Sequence, residues 1–494
     1  MESKDESQQP VEQLIANRRA KLEALRDLGQ EPYPRRFRVE SSVSQVRAGY
    51  DDKTAEELEV QKPSVRLAGR LRAVRGHGKV SFADLTDGAV QIQLYLRKND
   101  LDETAWQVFK LLDLGDFVGV EGTLFRTRAG ELSIAVRDLT VLAKALRPLP
   151  EKYHGLSDRE SRARQRYLDL MSNPQSREVF EVRSKVVSSI RRRLEAAGFI
   201  EVETPMMQPI PGGATARPFV THHNTLDLDL YLRIAPELYL KRLIVGGFER
   251  VFELNRNFRN EGISTRHNPE FTMLEFYWAY ADYELLMDFT EELLAGLVEE
   301  VVGTLQVQWG EHVIDFSRPW RRLTMRQAIL EYSDLTPEDL QDRGRMEAAA
   351  RTLDVQRIDE RSDGSLLAEL YEMTAEPLMI NPTFIMDFPR DISPFAKSCP
   401  GDPETVERFE LFIGGMELAN AFTELNDPDE QRRRLEFQAK QQGGMVDEDF
   451  VLAMEHGMPP TGGEGIGIDR LVMLLTNQQS IRDAMLFPQL RPRE

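Results

Sequence analysis

Five strand-like runs between residues 65 and 142 constrain the fold of this chain most strongly. Each run alternates β-branched or aromatic residues with polar ones, and Gly or Asp-Gly separates the runs, a pattern typical of strands joined by tight turns. The runs are VRLAGRLRAV, KVSFADL, VQIQLYL, FVGVEGTLFRT and ELSIAVRDLTVL. A helical pattern near 101–112 lies between the third and the fourth. Five strands with a helix at that position predict a small β-barrel.

This order of elements is that of the OB fold, which commonly binds single-stranded nucleic acid on its exposed strands. Binding of that kind uses stacking on aromatic rings and hydrogen bonds to base edges. Phe82, Gln93 and Glu131 are the candidates for such a surface. The alternative position for Phe82 is the barrel core, and the residues alone favour the core.

The chain of 494 residues is too long for one hydrophobic core, and its length suggests about three domains. The patterning predicts an α+β protein divided at the following positions. These are a helical N-terminal extension over 1–60, the OB barrel over 61–146, a linker over 147–172 and a larger domain over 173–494. The larger domain begins with a long helix over 174–197, and a charged helical insertion is expected at about 296–380.

Composition excludes several classes of protein. Hydrophobic residues make up 41% and charged residues 29% of the chain, as in an ordinary soluble protein. No apolar run approaches the roughly 18 residues that would span a bilayer, so no membrane partner is expected. Cys399 is the only cysteine, which excludes an internal disulfide and a cysteine-based zinc site. The polar start shows no signal peptide, and we expect a cytoplasmic protein.

Net charge bears on nucleic-acid binding. The net charge of −19 argues against a non-specific polyanion binder. Basic residues outnumber acidic ones between Lys144 and Arg193, and a solvated helix face explains that excess as readily as a docking site does. Any nucleic-acid partner must therefore be recognised through local charge.

The segment from Asn255 to Phe271 carries the clearest chemical signal. It places Arg259, Glu261, His267 and Phe271 around a turn-rich loop between two strand-like runs. A guanidinium offers a planar set of donors that matches phosphate, and an aromatic ring offers a face for a base. The segment therefore predicts a nucleotide clamp.

Three features occur in a fixed order along the second half of the chain. They are the long helix with its strand ending at Pro205, the loop from Arg259 to Phe271, and the glycine-rich run GEGIGIDR that enters an apolar helix. Together they resemble motifs 1, 2 and 3 of the class II aminoacyl-tRNA synthetases. RIAPELYLKRL, RNFRNEGIS with RHNPEFTM, FIGG with NAFTELNDP, and GIGIDRLVML are most similar to the bacterial-type lysyl-tRNA synthetase family of subclass IIb.

The resemblance implies a catalytic domain with a mainly antiparallel sheet flanked by helices, and it implies roles in ATP binding. Arg259 would grip the α-phosphate and the amino-acid carboxylate, and it would be catalytic together with Arg470. His267 and Arg470 would face the β- and γ-phosphates, Phe271 would stack on adenine, and Glu261 would receive the adenine amino group. Glu410 and Glu417 would bind the Mg²⁺ that accompanies ATP, with Glu410 also counted in the ATP site. On their own, two glutamates seven residues apart are more readily explained as a solvated face.

The resemblance also implies a lysine pocket. The residues predicted to contact the amino acid in this pocket are Gly213, Glu237, Arg259, Glu275, Tyr277, Asn420, Phe422 and Glu424. Glu237 and Glu424, with Tyr277, would surround the ε-ammonium, because a lysine side chain needs carboxylates where an aspartate would need cations. Glu275 and the backbone of Gly213 would hold the α-ammonium, and Asn420 the carboxylate. Gly465 would leave room for the substrate. Glu464 departs from the family, which often has an apolar residue there.

The function implied is a lysine–tRNA ligase that uses ATP to form lysyl-adenylate and transfers lysine to the 3′ end of tRNA(Lys). The barrel residues Phe82, Gln93 and Glu131 would read a U-rich anticodon, and the motif 1 helix would form a homodimer. Two alternatives remain from the residues. One is a ligase of the same subclass for aspartate or asparagine. The other is a non-enzymatic nucleic-acid binding protein on the same scaffold.

Overall fold

A computed structural model of the chain describes residues 10–88, 90–149, 158–214, 216–442 and 445–492. The chain divides into two compact units, Met1–Pro174 and Gln175–Glu494. Residues 1–9 of the predicted N-terminal extension and residues 150–157 of the predicted linker lie outside the described residues. None of the helices in the described ranges is both long and apolar enough to cross a membrane.

The first unit is built around a closed barrel of five strands. Its elements are α1 (Val11–Asp27), α2 (Val43–Tyr50), α3 (Ala55–Gln61), β1 (Ser64–His77), β2 (Val80–Asp87), β3 (Val90–Arg97), α4 (Glu103–Leu111), β4 (Phe117–Arg126), β5 (Leu132–Ala143), α5 (Arg159–Arg164) and α6 (Arg166–Ser172). The barrel order is β1-β2-β3-β5-β4, and α4 lies between the third and fourth strands. The predicted OB topology is confirmed.

Alternation along the strands fills the barrel, because successive side chains of a strand point to opposite faces. On β3, Ile92, Leu94 and Leu96 are buried, while the residues between them lie on the outer surface. The barrel core continues through Leu67, Leu85, Val120 and Ile134, and α4 adds Trp106 and Phe109. The two short helices before β1 begin with complete capping boxes, at Ser42 and Thr54, which satisfy their first backbone N–H groups.

The second unit contains the large sheet. It begins with α7 (Pro174–Ala196), β6 (Ile200–Glu201), β7 (Met207–Gln208), β8 (Phe219–His223), β9 (Leu228–Leu232), α8 (Glu237–Val245), β10 (Arg250–Phe258), β11 (Glu270–Ala279) and α9 (Tyr283–Val302). It continues with β12 (Gln306–Trp309), β13 (His312–Asp315), β14 (Arg321–Thr324), α10 (Met325–Tyr332), α11 (Arg343–Thr352), α12 (Asp363–Thr374), β15 (Thr383–Pro389) and β16 (Ser398–Cys399). It ends with β17 (Asp402–Ile413), β18 (Met416–Thr423), α13 (Pro428–Gln442), α14 (Glu448–Glu455), β19 (Thr461–Gly467), α15 (Ile468–Leu475) and α16 (Ile481–Ala484).

The sheet order is β14-β15-β17-β18-β19-β11-β10-β6, with β16 paired to β17. Only the edge pairs β14–β15 and β10–β6 are parallel in this order, and the other neighbours run antiparallel. Side chains of α7, α9 and α15 join one core with the sheet, among them Ile190, Leu294 and Val472. The expected antiparallel sheet with flanking helices is therefore confirmed.

The predicted insertion at 296–380 differs from the structure in its helical extent. Residues 296–302 belong to α9, whose Leu297 and Val298 are buried in the sheet core. Residues 306–324 contain β12, β13 and the sheet strand β14 rather than helices. Helices α10 to α12 begin only at Met325 and form a separate cluster against Ile385 and Phe412. The short strands β12 to β14 separate α9 from α10, so the charged helical segment begins only at Met325.

Candidate active site

A cavity of about 480 Å³ opens on the large sheet. The strands β11, β18 and β19 form its floor, while α8, the β10–β11 loop and the start of α15 contribute to its walls. The predicted site residues that line it are Gly213, Glu237, Arg259, Glu261, His267, Phe271, Glu275, Tyr277, Glu417, Asn420, Phe422, Glu424 and Arg470. Segments more than 250 residues apart in sequence thus converge on one space, as the predicted site requires.

The β10–β11 hairpin positions one end of this cavity. The two strands pair from Arg250 with Trp278 to Phe258 with Glu270, so the loop 259–269 projects from their ends. The guanidinium carbon of Arg259 lies 5.1 Å from the centre of the Phe271 ring. Its Nε atom is buried and has no hydrogen-bond partner among the described residues. A buried guanidinium donor next to an aromatic face suits an anionic nucleotide.

Arg470 and His267 form the second cationic part of the cavity. Nη2 of Arg470 lies 3.1 Å from Nε2 of His267, and Nη1 lies 3.3 Å from Oε2 of Glu417. Burial, and then the charge of Arg470, lower the pKa of His267 below its usual value. Since a guanidinium can only donate, Nε2 of His267 accepts, and Nδ1, 3.0 Å from the Ser264 hydroxyl, carries the proton. His267 is thus a neutral, oriented imidazole.

Two glutamates predicted to bind ATP, Glu261 and Glu410, lie at the edge of this cavity or beside it. Glu261 is exposed on the loop at the cavity rim. Glu410 does not line the first cavity but lines a neighbouring one of about 460 Å³, which Glu417, His267 and Arg470 also line. The assignment of Glu410 to the ATP site stays a prediction, and in the structure this carboxylate borders the adjoining cavity. Glu410 pairs with Asn420 across β17 and β18, and a bulge between Leu411 and Phe412 shifts the register by one residue before Phe412 pairs with Glu417.

Glu410 and Glu417 together offer carboxylate oxygens that suit a hard cation. Burial raises the pKa of Glu410 to about 8, the ion pair with Arg408 opposes that rise, and the charge of Glu417 adds to it. No group of three or more His, Cys, Asp or Glu in the described part of the chain could hold a metal ion. Mg²⁺ commonly binds through one or two carboxylates together with substrate phosphates. The two glutamates fit that mode, in which a nucleotide completes the coordination.

The acidic end of the cavity contains Glu237, Glu424 and Tyr277, as predicted, and also an unpredicted cation. Nζ of Lys241 lies 2.6 Å from Oε1 of Glu237 and 2.5 Å from Oε2 of Glu424. The Lys241 side chain is 0% exposed. Its ammonium lies 4.8 Å from the centre of the Phe395 ring and 6.0 Å from that of Tyr277. An ammonium of the chain itself therefore lies between the two carboxylates expected to bind the substrate.

The other oxygen of each carboxylate lies against a glycine that lines the cavity. Oε2 of Glu237 lies 3.5 Å from the position that a Cβ on Gly213 would take, and Gly213 lines the cavity. Oε1 of Glu424 is buried without a hydrogen-bond partner in the described ranges, and a Cβ on Gly463 would approach it to 2.2 Å. Glycine at 463 is therefore required by the close approach of Glu424 and Tyr277.

Glu275 and Asn420, which are predicted to hold the α-ammonium and the carboxylate, also line the cavity. Burial, and then the charge of Glu237, raise the pKa of Glu275 to about 8, a state that an incoming cation would reverse. Oδ1 of Asn420 accepts a hydrogen bond from Nε of Arg408 at 3.0 Å, which leaves its amide nitrogen as the donor for a carboxylate. Phe422 lines the same cavity, and the Arg408 guanidinium lies 5.5 Å from its ring centre.

Lys241 and Arg408 were missed by the sequence reasoning. Lys241 follows Glu237 by four residues on α8, a spacing that usually means an exposed ion pair on a helix. Only the structure shows its burial, because Glu237, Lys241 and Ile244 share one face of α8 and all three are buried. Arg408 stands in β17, and the alternation of a partly buried strand gave no indication of its contacts with Asn420 and Glu410.

The predicted barrel surface contains an aromatic cluster. Phe82 is partly exposed on β2, so the position in the core that the residues alone favoured is wrong. Its ring centre lies 5.2 Å from that of Tyr95, which lies 5.6 Å from that of Phe125. Side chains at positions 82 and 95 meet because these residues pair directly between β2 and β3.

The two polar residues of this surface already have partners. Oε1 of Gln93 accepts a hydrogen bond from the Ser133 hydroxyl at 3.0 Å. Glu131 is exposed and pairs with Nη2 of Arg47 at 3.0 Å. The amide nitrogen of Gln93 therefore stays available as a donor. If Glu131 contacts a base, it does so either in place of its ion pair with Arg47 or together with it.

Comparison with known proteins defines the class first. The family described as tRNA synthetases class II (D, K and N) matches residues 158–491, and the OB-fold nucleic acid binding domain matches residues 65–142. The chain belongs to these class II aminoacyl-tRNA synthetases, with the aspartyl, lysyl and asparaginyl group as its family.

Within that family, the chain is similar over almost its whole length to proteins named lysine–tRNA ligase. It is 53% identical to the one from Aeromonas hydrophila subsp. hydrophila over 493 residues, which cover 97% of this chain and 96% of the relative. It is 50% identical to the one from Carboxydothermus hydrogenoformans, covering 98% of this chain and 99% of the relative. The one from Salmonella paratyphi C is 53% identical and covers 96% and 95%.

Proposed function

We propose that this chain is a lysine–tRNA ligase, which activates L-lysine with ATP and transfers it to the 3′ end of tRNA(Lys). The observation that carries the proposal is the acidic end of the cavity. Glu237 and Glu424 are both buried there, and the second oxygen of each lies against a glycine that lines the cavity. Such an end suits an ammonium and repels the carboxylate of aspartate. Its position beside Arg259 brings a cationic amino acid next to a nucleotide.

The first step joins the two substrates at the α-phosphorus. A lysine carboxylate oxygen attacks the α-phosphorus of ATP, the bond to the bridging oxygen breaks, and pyrophosphate leaves with that electron pair, so that lysyl-adenylate remains. Arg259 holds the α-phosphate and the attacking carboxylate together, and Arg470 with His267 holds the outer phosphates. The rate enhancement then comes from positioning and charge stabilisation, without a side-chain base.

Mg²⁺ is part of this proposal through Glu410 and Glu417. These two carboxylates would hold the ion together with phosphate oxygens, and the ion would neutralise charge on the phosphates. Arg408 would keep Glu410 in place, because its guanidinium pairs with that carboxylate at 2.5 Å. Tyr277 and Glu275 orient the amino acid by its two ammonium groups.

The second step and the assembly are proposed from the same family. The terminal ribose hydroxyl of tRNA attacks the activated carbonyl, and AMP leaves as lysine becomes esterified. The barrel surface around Phe82, Gln93 and Glu131 recognises a U-rich anticodon. Helix α7, the counterpart of the motif 1 helix, forms a homodimer interface, and the protein works in the cytoplasm, where its tRNA is charged.

ATP–pyrophosphate exchange with a panel of amino acids tests the first step. Lysine alone should support exchange, while ornithine, aspartate and asparagine should give at least tenfold lower kcat/KM. Exchange should require Mg²⁺, and the chain should then charge tRNA(Lys) with radiolabelled lysine. Preference for aspartate or asparagine would replace the proposal with a related ligase. Absence of exchange with every amino acid would favour a nucleic-acid binding protein.

A further inference from the structure

We propose that Lys241 is a positioning residue for the substrate: its buried ammonium is a permanent counter-ion that holds Glu237 and Glu424 apart, with one oxygen of each turned to the lysine side chain. The inference rests on the proposed function and adds a residue to which neither the resemblance nor the comparisons give a role. The geometry behind it is the ion-paired triad on α8 and at the end of β18.

Lys241 divides the four carboxylate oxygens of Glu237 and Glu424 into two pairs. Lys241 binds Oε1 of Glu237 and Oε2 of Glu424. The remaining two oxygens are those that border Gly213 and Gly463 on the cavity wall. One ammonium therefore fixes the rotation of both carboxylates, and the same contact selects which oxygens an incoming ammonium meets.

The triad carries two carboxylates and one ammonium, and its other titratable neighbours are Tyr277 and Glu275 on β11. Burial, and then the charges of the glutamates, raise the pKa of Tyr277, so its hydroxyl stays neutral. The two glutamates hold Lys241 protonated in spite of its burial. Burial raises the pKa of Glu424 to about 8 and also raises that of Glu237, while Lys241 opposes both rises. A bound ε-ammonium would favour ionisation of both glutamates, and two ammonium groups would then balance the two carboxylates.

Without Lys241, the two glutamates lose the cation that lies between them. Two buried carboxylates at close range cannot both stay ionised, so one of them takes up a proton. The protonated carboxyl then donates a hydrogen bond to the other carboxylate. That bond closes the oxygens that the substrate needs, and the substrate ammonium must displace the proton to bind. Loss of Lys241 should therefore weaken lysine binding, although it makes the pocket formally more acidic.

The test uses Lys241→Met, which keeps the length of the side chain and removes its charge. At pH 7 we expect the KM for lysine in ATP–pyrophosphate exchange to rise at least tenfold, with the KM for ATP changed less than threefold. Arg242→Met is the matched control, since Arg242 is the next residue of α8 and pairs with Asp447 and Asp449 outside the cavity. It should leave the KM for lysine unchanged.

Chemical rescue separates positioning from a structural role. Lys241→Ala lacks the three methylenes and the ammonium that n-propylammonium would restore. Added n-propylammonium should lower the KM for lysine of this variant at least fivefold, whereas 1-propanol should not, and the unsubstituted enzyme should not be stimulated. A rescue that depends on charge cannot come from packing alone.

The outcomes are distinct. If the unsubstituted protein shows no exchange with lysine, the proposed function fails before Lys241 is tested. If it does exchange, an unchanged or lower KM for lysine in Lys241→Met overturns the role of Lys241. Equal rises in both KM values without rescue also overturn it, as does failure of both variants to fold even with n-propylammonium, because Lys241 would then be structural only.

Discussion

The guanidinium of Arg470 donates to Nε2 of His267 over 3.1 Å, although the two residues are 203 positions apart in the sequence. The contact joins the loop that follows β10 to the first turn of α15. Because His267 accepts from a permanent cation, its neutral form is part of the site. In the proposed site, His267 orients the guanidinium of Arg470, which donates to the phosphates.

Protonation of His267 should disturb this pair. The lowered pKa of His267 means that the neutral form prevails at pH 7, and acidification through that lowered value places a second cation against Arg470. We expect the KM for ATP to rise once the pH falls well below 6.5, the usual pKa of histidine. His267→Gln, whose amide oxygen can still accept from Arg470, should flatten that rise. An identical acid limb in this variant would show that another group titrates.

Removal of Arg259 should stop activation. Its buried Nε has no partner among the described residues, so it is available to substrate oxygens. Arg259→Ala should lower kcat/KM for ATP–pyrophosphate exchange by about 10²–10³-fold or more, the usual effect of removing one preorganised donor. Arg256→Ala is the control, because Arg256 lies near the end of β10, three residues before Arg259, and its guanidinium makes a partly exposed contact of 3.6 Å with Glu270. Retained activity in Arg259→Ala would break the assignment of the loop.

Glu424→Gln should affect lysine far more than ATP. The substitution removes a buried charge that faces Lys241 and the substrate, and it leaves both ammonium groups short of a partner. We expect a rise of about 30-fold or more in the KM for lysine, with the KM for ATP within threefold. Glu436→Gln, an exposed glutamate on α13, is the control. Unchanged lysine dependence in Glu424→Gln would remove Glu424 from the pocket.

The predictability of this site differs between its residues for physical reasons. The barrel and the loop that carries Arg259 could be predicted because period-two alternation and turn residues are local signals. Lys241 could not be predicted, since an i, i+4 ion pair has the same spacing whether it is exposed or buried. The place of Glu410 relative to Glu417 depends on a bulge between Leu411 and Phe412, and a bulge of this kind leaves no periodic trace in the sequence.

Phe82→Ala should separate amino-acid activation from tRNA charging. Phe82 is partly exposed and its ring contacts Tyr95, so removing the ring takes away a stacking surface without opening the barrel core. We expect unchanged exchange and a rise of about tenfold in the KM for tRNA(Lys), since one base–aromatic stack contributes about 1–3 kcal/mol. Phe117→Ala is the matched control, because Phe117 is an exposed aromatic on β4 that lies against Arg70. Equal losses in both assays would contradict an anticodon role.

Glu464→Gln should change how stability depends on pH. Burial raises the pKa of Glu464 from its usual 4.5 to about 8, and the hydrogen bond from the Thr290 hydroxyl opposes that rise. The unfolded chain loses this proton near pH 4.5 while the folded chain keeps it to about pH 8. The stability that the protonated carboxyl contributes is therefore complete below pH 4.5 and is lost as pH rises towards 8. A glutamine amide has no such loss.

Urea unfolding of both proteins between pH 5 and pH 8.5 measures the effect. The free energy of unfolding of Glu464→Gln minus that of the unsubstituted chain should increase with pH and level off above pH 8, with a total gain of about 2–4 kcal/mol. Glu299→Gln on the exposed side of α9 should give a difference that does not vary with pH. Oε1 of Glu464 has no hydrogen-bond partner in the described ranges, so a glutamine amide nitrogen at that position would gain no new hydrogen bond to the protein. Parallel stability curves for Glu464→Gln and the unsubstituted chain would show that Glu464 is ionised in the folded protein, and that the cost of its burial is met by a contact other than the one with Thr290.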